Sequence, residues 1–195
     1  MHDAIQQAVE GLALHNTAAR VVVILCAAAL VYLLGLAWLV VVQRHMRRIT
    51  LRTAIRVLAL GVLVALGSKV LTHVIIDPRP YIAAHTRPLI PVSHDNGFPS
   101  DHTLLAAALT ASLWWIDRRL LLAFAGGTLL VMLGRLGIGA HHTLDVLGAV
   151  GIAVVAALMA RAVPFPVTWD RPLLPALRSA SREIARPIVR RDPLA

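Results

Sequence analysis

A chain of 195 residues has room for one sizeable core, and with 58% hydrophobic and 15% charged residues it falls well below the roughly 25% charge of a soluble domain. A mean hydropathy of +0.74 excludes that class and predicts an all-α integral membrane protein. The net charge of +9 comes from 18 arginines and one lysine against 10 acids. Because the arginines gather between apolar runs and in the tail, they read as topology and anionic-lipid signals, not as a nucleic-acid surface.

At the start of the chain, Ala4, Ile5, Ala8, Val9, Leu12 and Ala13 recur at helical spacing opposite Asp3, Gln6, Gln7 and Glu10, predicting an amphipathic helix in the membrane interface. Crossing about 30 Å of hydrocarbon at about 1.5 Å per residue takes about 20 apolar residues. Five runs are read as spans: 21–42, 57–76, 100–116, 120–136 and 144–163. The first is too long, too far from the start and too poor in preceding positive charge to be a cleaved signal peptide, so it is expected to be retained. It holds the single cysteine, Cys26, which leaves the redox compartment open. The third and fourth are short and joined only by Asp117, Arg118 and Arg119, which predicts a tight antiparallel hairpin. The expectation is a six-helix bundle of one interfacial and five transmembrane helices, with residues 1–163 embedded and 164–195 forming a basic cytoplasmic tail. In that tail Arg178, Arg182 and Arg186 recur beside Leu177, Ile184 and Ile188. The pattern fits either a short helix on anionic lipid or a solvated basic segment.

Orientation follows from the positive-inside rule. The loop 43–53 carries Arg44, Arg47, Arg48 and Arg52 without an acid, the hairpin turn carries Arg118 and Arg119, and the tail adds six more arginines. These segments are expected in the cytoplasm, which leaves the loops 77–99 and 135–143 outside. The unusual polar residues lie in or beside those two loops. Asp77-Pro78-Arg79-Pro80 ends the second span, its prolines fixing the backbone around Arg79. Phe98-Pro99-Ser100-Asp101-His102 opens the third, where Ser100 suits an N-cap and the helix start offers free N–H groups to an anion. Gly134-Arg135 precedes His141 and Asp145, which share one helical face at i and i+4. Two guanidiniums and a helix N-terminus make a phosphate cradle, and two histidines supply a nucleophile and a proton donor. The set suggests phosphoryl transfer without a metal or other cofactor, since no carboxylate-rich or closely spaced histidine ligand set is apparent.

Arg79-Pro80, Pro99-Ser100-Asp101-His102 and Arg135-x5-His141-x3-Asp145 resemble the three signature motifs of the type-2 phosphatidic acid phosphatase superfamily. Asp101, where lipid phosphatases usually have Gly, makes the run 95–103 similar to the bacterial undecaprenyl-diphosphatase branch. The resemblance implies an enzyme of the bacterial cytoplasmic membrane that dephosphorylates a polyprenyl diphosphate carrier on its outer face, serving cell-wall synthesis and bacitracin resistance. Carried over by position, His141 attacks phosphorus with Asp145 orienting it, and His102 protonates the leaving group and then activates water. Arg79, Ser100 and Arg135 hold the phosphate, with Asp101 accepting a hydrogen bond or fixing His102. His142 is the rival nucleophile, but four residues on it meets Val146, whereas His141 meets Asp145.

The family pattern departs here at two positions. Thr72 stands where it places a lysine, and the one lysine, Lys69, lies a turn deeper; it either snorkels to a phosphate or stays buried with a polar partner. Gly134 replaces a frequent serine. Rival readings are a phosphatidate or phosphatidylglycerophosphate phosphatase using the same residues, and, in another class, a lipid-binding or transport protein. Against the latter, no inverted repeat or Gly/Pro-broken midspan segment appears.

Overall fold

The computed structural model describes residues 3–173 and residue 175. Its α-helices are α1 (Ala4–His15), α2 (Thr17–Ala28), α3 (Leu30–His45), α4 (Leu51–Val74), the single turn α5 (Pro80–Ala83), α6 (Asp101–Ile116), α7 (Leu121–Gly137) and α8 (Thr143–Ala162). Three of their starts are written in the sequence. The side chains of Asp3, Asn16 and Thr50 accept the backbone N–H of Gln6, Ala19 and Thr53, satisfying donors that a helix start leaves free.

The described residues thus hold eight α-helices where six were expected. α4, α7 with the short turn before it, and α8 are each long and apolar enough to cross a membrane. The expected first span is instead α2 and α3, joined at Ala29 with a 50° bend, and the two together would make a fourth. α4 begins six residues before its apolar run. The arginines of its first turns are engaged by the end of α8 and the segment after it: Arg52 pairs with Asp170 at 2.9 Å, and Arg56 donates to the Arg161 carbonyl at 3.3 Å. That segment folds back, Leu173 N–H donating to the Ile49 carbonyl at 2.8 Å. The expected tail helix around Arg182 lies outside the described residues.

At 16 residues, or about 24 Å, α6 is too short to cross alone, but it sits in the middle. It packs on α3, α4, α7 and α8, so protein rather than lipid covers most of it. One side joins Leu104 and Ala107 to Leu60 and Val64 of α4 and to Ala149, Ala153, Ala156 and Ala160 of α8; the other joins Ala106 and Leu113 to Val31, Leu34, Phe124 and Val131. The alanine stripe of α8 lets its neighbours come close, the usual device where lipid supplies no hydrophobic drive between helices. Leu58, Val70, Leu122, Leu147 and Leu158 point outward and are exposed. An apolar belt of that extent belongs in a bilayer, and the protein is a membrane protein.

α1 packs on α2 and α7, but not with the face expected. Gln6 and Ala13 are buried while Ile5 and Leu12 face outward. Gln6, read as a solvent-facing polar residue, donates to Glu10 Oε2 at 2.6 Å, and the Asp3 carboxylate accepts both the N–H and the hydroxyl of Thr143 at 2.5 and 2.8 Å. The polar side of α1 is turned inward because the start of α8 supplies donors for it.

α2 and α7 come together at Gly134, where an added Cβ would stand 2.5 Å from Ala27 N and 2.9 Å from Ala27 Cα. Backbone cannot yield as a side-chain tip does. Installing the serine that the family often carries there, Gly134→Ser, is therefore expected to destabilise by about 1–3 kcal/mol, read as a lower midpoint of thermal unfolding in detergent. An unchanged midpoint would refute the close packing.

Candidate active site

From α4 to α8 the long helices alternate in direction along the chain, so the motif residues collect at one end of the bundle and the arginine-rich turns at the other, where His45 and Asp117 meet at 3.4 Å. The site is built from the end of α4, α5, the loop 84–100, the start of α6, the end of α7 and the start of α8. α4 stops before Pro78, and Arg79 caps α5 with Pro80 as its first residue. The Arg79 side chain is nearly buried at 4% exposure, and every arm of its guanidinium is used. Nε donates to the Asp95 carbonyl at 3.2 Å, Nη2 to Asp95 Oδ1 at 2.7 Å and Ser93 Oγ at 3.3 Å, and Nη1 to the Ala140 carbonyl and to His141 Nε2, both at 3.1 Å. Arg135, in the last turn of α7, donates to the same nitrogen through Nη2 at 3.2 Å.

These contacts fix the tautomer of His141. A guanidinium only donates, so Nε2 must offer its lone pair and Nδ1 must carry the proton. Nδ1 donates to the Gly97 carbonyl at 2.9 Å, with Asp145 Oδ2 farther away at 3.5 Å. Asp145 was expected to hold this nitrogen directly; its Oδ2 instead accepts the His142 N–H at 2.8 Å, because α8 begins at Thr143 and its first turn needs a cap. The nearer partner, the Gly97 carbonyl, has no signature in the sequence beyond the glycine itself. A Cβ there would lie 2.9 Å from the Asp77 carbonyl and 3.2 Å from Asp145 Oδ2, so only glycine brings this strand of loop against the imidazole.

Burial first, aided by the charges of Arg135 and Arg79 and opposed by Asp145, pushes the His141 imidazole below its usual 6.5. A nucleophilic histidine must be unprotonated, so a lowered value extends activity toward acid. The acid limb of kcat/KM is expected below pH 6.5, and lower still in Asp145→Asn, which removes the raising pull. A limb at or above the ordinary value would refute the environment described.

Ser100 is fully buried. Its N–H donates to the Asp145 carbonyl at 3.3 Å and its hydroxyl accepts from Thr103 at 3.1 Å, so it stands at the N-cap of α6 as expected but makes no side-chain capping bond. The first bond inside α6 is Leu104 N–H to the Ser100 carbonyl at 2.8 Å, leaving the N–H groups of residues 101–103 for an anion. His102 lies within electrostatic reach of Arg135, His141 and Arg79, and Asp101 within reach of Arg135. Lys69 is exposed on α4, so it is not the buried lysine of the alternative reading, and Thr72 turns inward, donating to the Phe98 carbonyl at 3.2 Å.

Three participants had not been singled out. Asp95 steers Arg79, and its carboxyl is held below the usual carboxylate range by the Ser93 hydroxyl and by Arg79. Asn96 ties the site loop to the end of α4, donating to the Thr72 and Ile75 carbonyls at 2.9 and 2.7 Å. The adjacent Asn-Gly pair was the available signal for such a turn. Tyr32, exposed just beyond the bend between α2 and α3, meets the His102 ring edge-on with centroids 6.3 Å apart. His142 turns to Asp77, Nδ1 standing 3.4 Å from Oδ2. Donor atoms of Asp77, His142 and Asp145 lie within 4.8 Å of one another, a grouping not foreseen from the sequence. Residues 65 positions apart in sequence cannot be recognised as such a set by spacing alone.

A basic pocket closing on one imidazole, at the end of a bundle of membrane helices, defines a membrane phosphatase: the chain belongs to the PAP2 superfamily, whose pattern matches residues 50–169. Within it, the similarity is to the undecaprenyl-diphosphatase branch. Over 85 residues the chain is 34% identical to undecaprenyl-diphosphatase BcrC of Bacillus subtilis (strain 168), a stretch that covers 44% of each protein and so less than half of that relative. No solved structure matches the chain.

Proposed function

We propose that the protein hydrolyses undecaprenyl diphosphate to undecaprenyl phosphate and inorganic phosphate, returning the carrier to use from the outer face of a bacterial cytoplasmic membrane, with its C-terminus in the cytoplasm. The observation that carries the chemistry is the His141 Nε2 lone pair set between two guanidiniums at 3.1 and 3.2 Å. A terminal phosphoryl group entering there exchanges those contacts for its own oxygens. Nε2 then forms the N–P bond as the bridging P–O bond breaks, and His102 gives a proton to the departing undecaprenyl phosphate. Positive charge appears on the imidazole, where Asp145 and the Gly97 carbonyl favour it. Charge on the transferring oxygens is met by Arg79, Arg135 and the N–H groups at the start of α6. In the second half His102 takes a proton from water, which attacks phosphorus and frees His141. The reaction draws on side chains alone, with no cofactor.

The experiment is phosphate release by purified protein in detergent with EDTA, comparing undecaprenyl diphosphate, phosphatidate and phosphatidylglycerophosphate. Preference for the diphosphate, undiminished by the chelator, is expected. Better turnover of the monophosphates would keep the chemistry and replace the substrate; no turnover of any would overturn the enzyme reading, and loss of activity in EDTA would overturn the metal-free mechanism.

A further inference from the structure

The Nδ1 edge of His141, opposite the guanidiniums, backs onto a second polar cluster, of which the reaction uses only Asp145. Asp145 is fully buried, and its Oδ1 has no hydrogen-bond partner. His142 Nδ1 is likewise buried and unpartnered in hydrogen bonding, 3.4 Å from Asp77 Oδ2. Leaving such atoms unmatched is costly unless something occupies the space between them. A cavity of about 350 Å³ at the start of α1 reaches Asp77 and His142, and is also lined by Asp3, Ala4, Ile5 and Thr143. Asp3 spends both oxygens on Thr143, so it adds negative charge to the entrance without being free to ligate.

We propose that Asp77, His142 and Asp145 form a site for a divalent cation of the zinc class, entered from this cavity, and that its occupancy slows phosphoryl transfer by opposing the charge on His141. Two ligands at about 2.0 Å in a tetrahedral shell stand about 3.3 Å apart, and the Asp77–His142 pair is already at 3.4 Å. The third donor closes from within 4.8 Å by a small side-chain rotation into the open side of the cluster, and water from the cavity completes the shell. One imidazole with two carboxylates suits zinc and its transition-metal neighbours, whereas magnesium and calcium prefer oxygen throughout. The inhibitory part rests on the assignment of His141 as nucleophile. Attack places positive charge on its ring, and a dication held by the same Asp145 weakens the carboxylate's stabilisation of that charge.

The test uses untagged, metal-stripped protein in detergent. Zinc binding, measured by competition with a chromogenic chelator, is expected at one ion per chain in the wild type and to fall at least tenfold in affinity in Asp77→Asn and in His142→Asn, either of which serves if the other fails to fold. Magnesium should not compete. Equal zinc binding by the wild type and both variants would mean adventitious binding elsewhere and overturn the site, as would no binding at all. Zinc should inhibit phosphate release by the wild type, while Asp77→Asn keeps its basal rate and becomes insensitive; stoichiometric binding without inhibition would overturn the regulatory half. If the protein releases no phosphate from any lipid, the proposed activity fails while the binding measurement still decides the site.

Discussion

Replacing His141 with alanine abolishes phosphate release from every lipid tested, a loss of about 10⁴-fold or more, the scale reached when a covalent nucleophile is removed. The imidazole is 2% exposed and its Nε2 is the shared acceptor of Arg79 and Arg135. No neighbouring group can take its place, since His142 is turned to Asp77. Truncation also leaves two guanidiniums facing each other in a buried space, so the variant should lose some stability, about 1–3 kcal/mol. His141→Asn, which keeps a polar atom between them, separates the two effects: it should fold with a midpoint near wild type and be equally inactive. Turnover near wild type in either variant would remove the nucleophile assignment.

Arg79→Lys should lower kcat/KM by about 10²–10³-fold, an effect of the size of losing one preorganised oxyanion donor or more. A lysine keeps the charge but not the fork. Arg79 holds Asp95 with one arm and faces His141 Nε2 with the other, at 2.7 and 3.1 Å, and a single ammonium cannot reach both positions at once. Most of the loss should fall on kcat, because the donor aimed at the reacting oxygens is the one displaced, while KM for the lipid moves less. Kinetics within threefold of wild type would show that charge alone, not the planar donor array, serves the cradle.

The residues that meet in the site were legible because they are of rare types for apolar surroundings and gather at the ends of apolar runs opposite the arginine-rich turns. His141 faces the two arginines while His142 turns to Asp77, an arrangement that accords with preferring the histidine that has an acid four residues on. Other features left no trace. Ala28-Ala29-Leu30 reads as uninterrupted helix, with neither glycine nor proline to mark the 50° bend, so the break belongs to packing rather than to local preference. Lys69 was read by distance from Arg79 along the chain, but facing depends on which neighbour covers that side of α4, and none covers Lys69. The Gly97 carbonyl could not be read at all, since a backbone acceptor is common to every residue. Gln6 sits on the polar side of α1 and bonds only to Glu10, four residues on; the packing of α1 on α7, far along the chain, could not be read from that.

The contact between Asp3 and Thr143 joins residues 140 positions apart, and the same carboxylate caps α1 through Gln6. One side chain thus closes two helices, one near each end of the described residues. During synthesis the Asp3 carboxylate emerges without its Thr143 donors until the start of α8 has been made, so this clasp is among the last long-range contacts that translation allows. The loop bearing His141 is anchored from the front by the two arginines and from behind by that clasp. A chain halted before α8 would hold Arg79, Arg135 and His141 without Asp145, and catalytic competence would arrive only with completed assembly. The first helix, which contributes nothing to the chemistry, then becomes the part whose removal should loosen the start of α8 and blunt turnover while the remaining helices stay in the membrane.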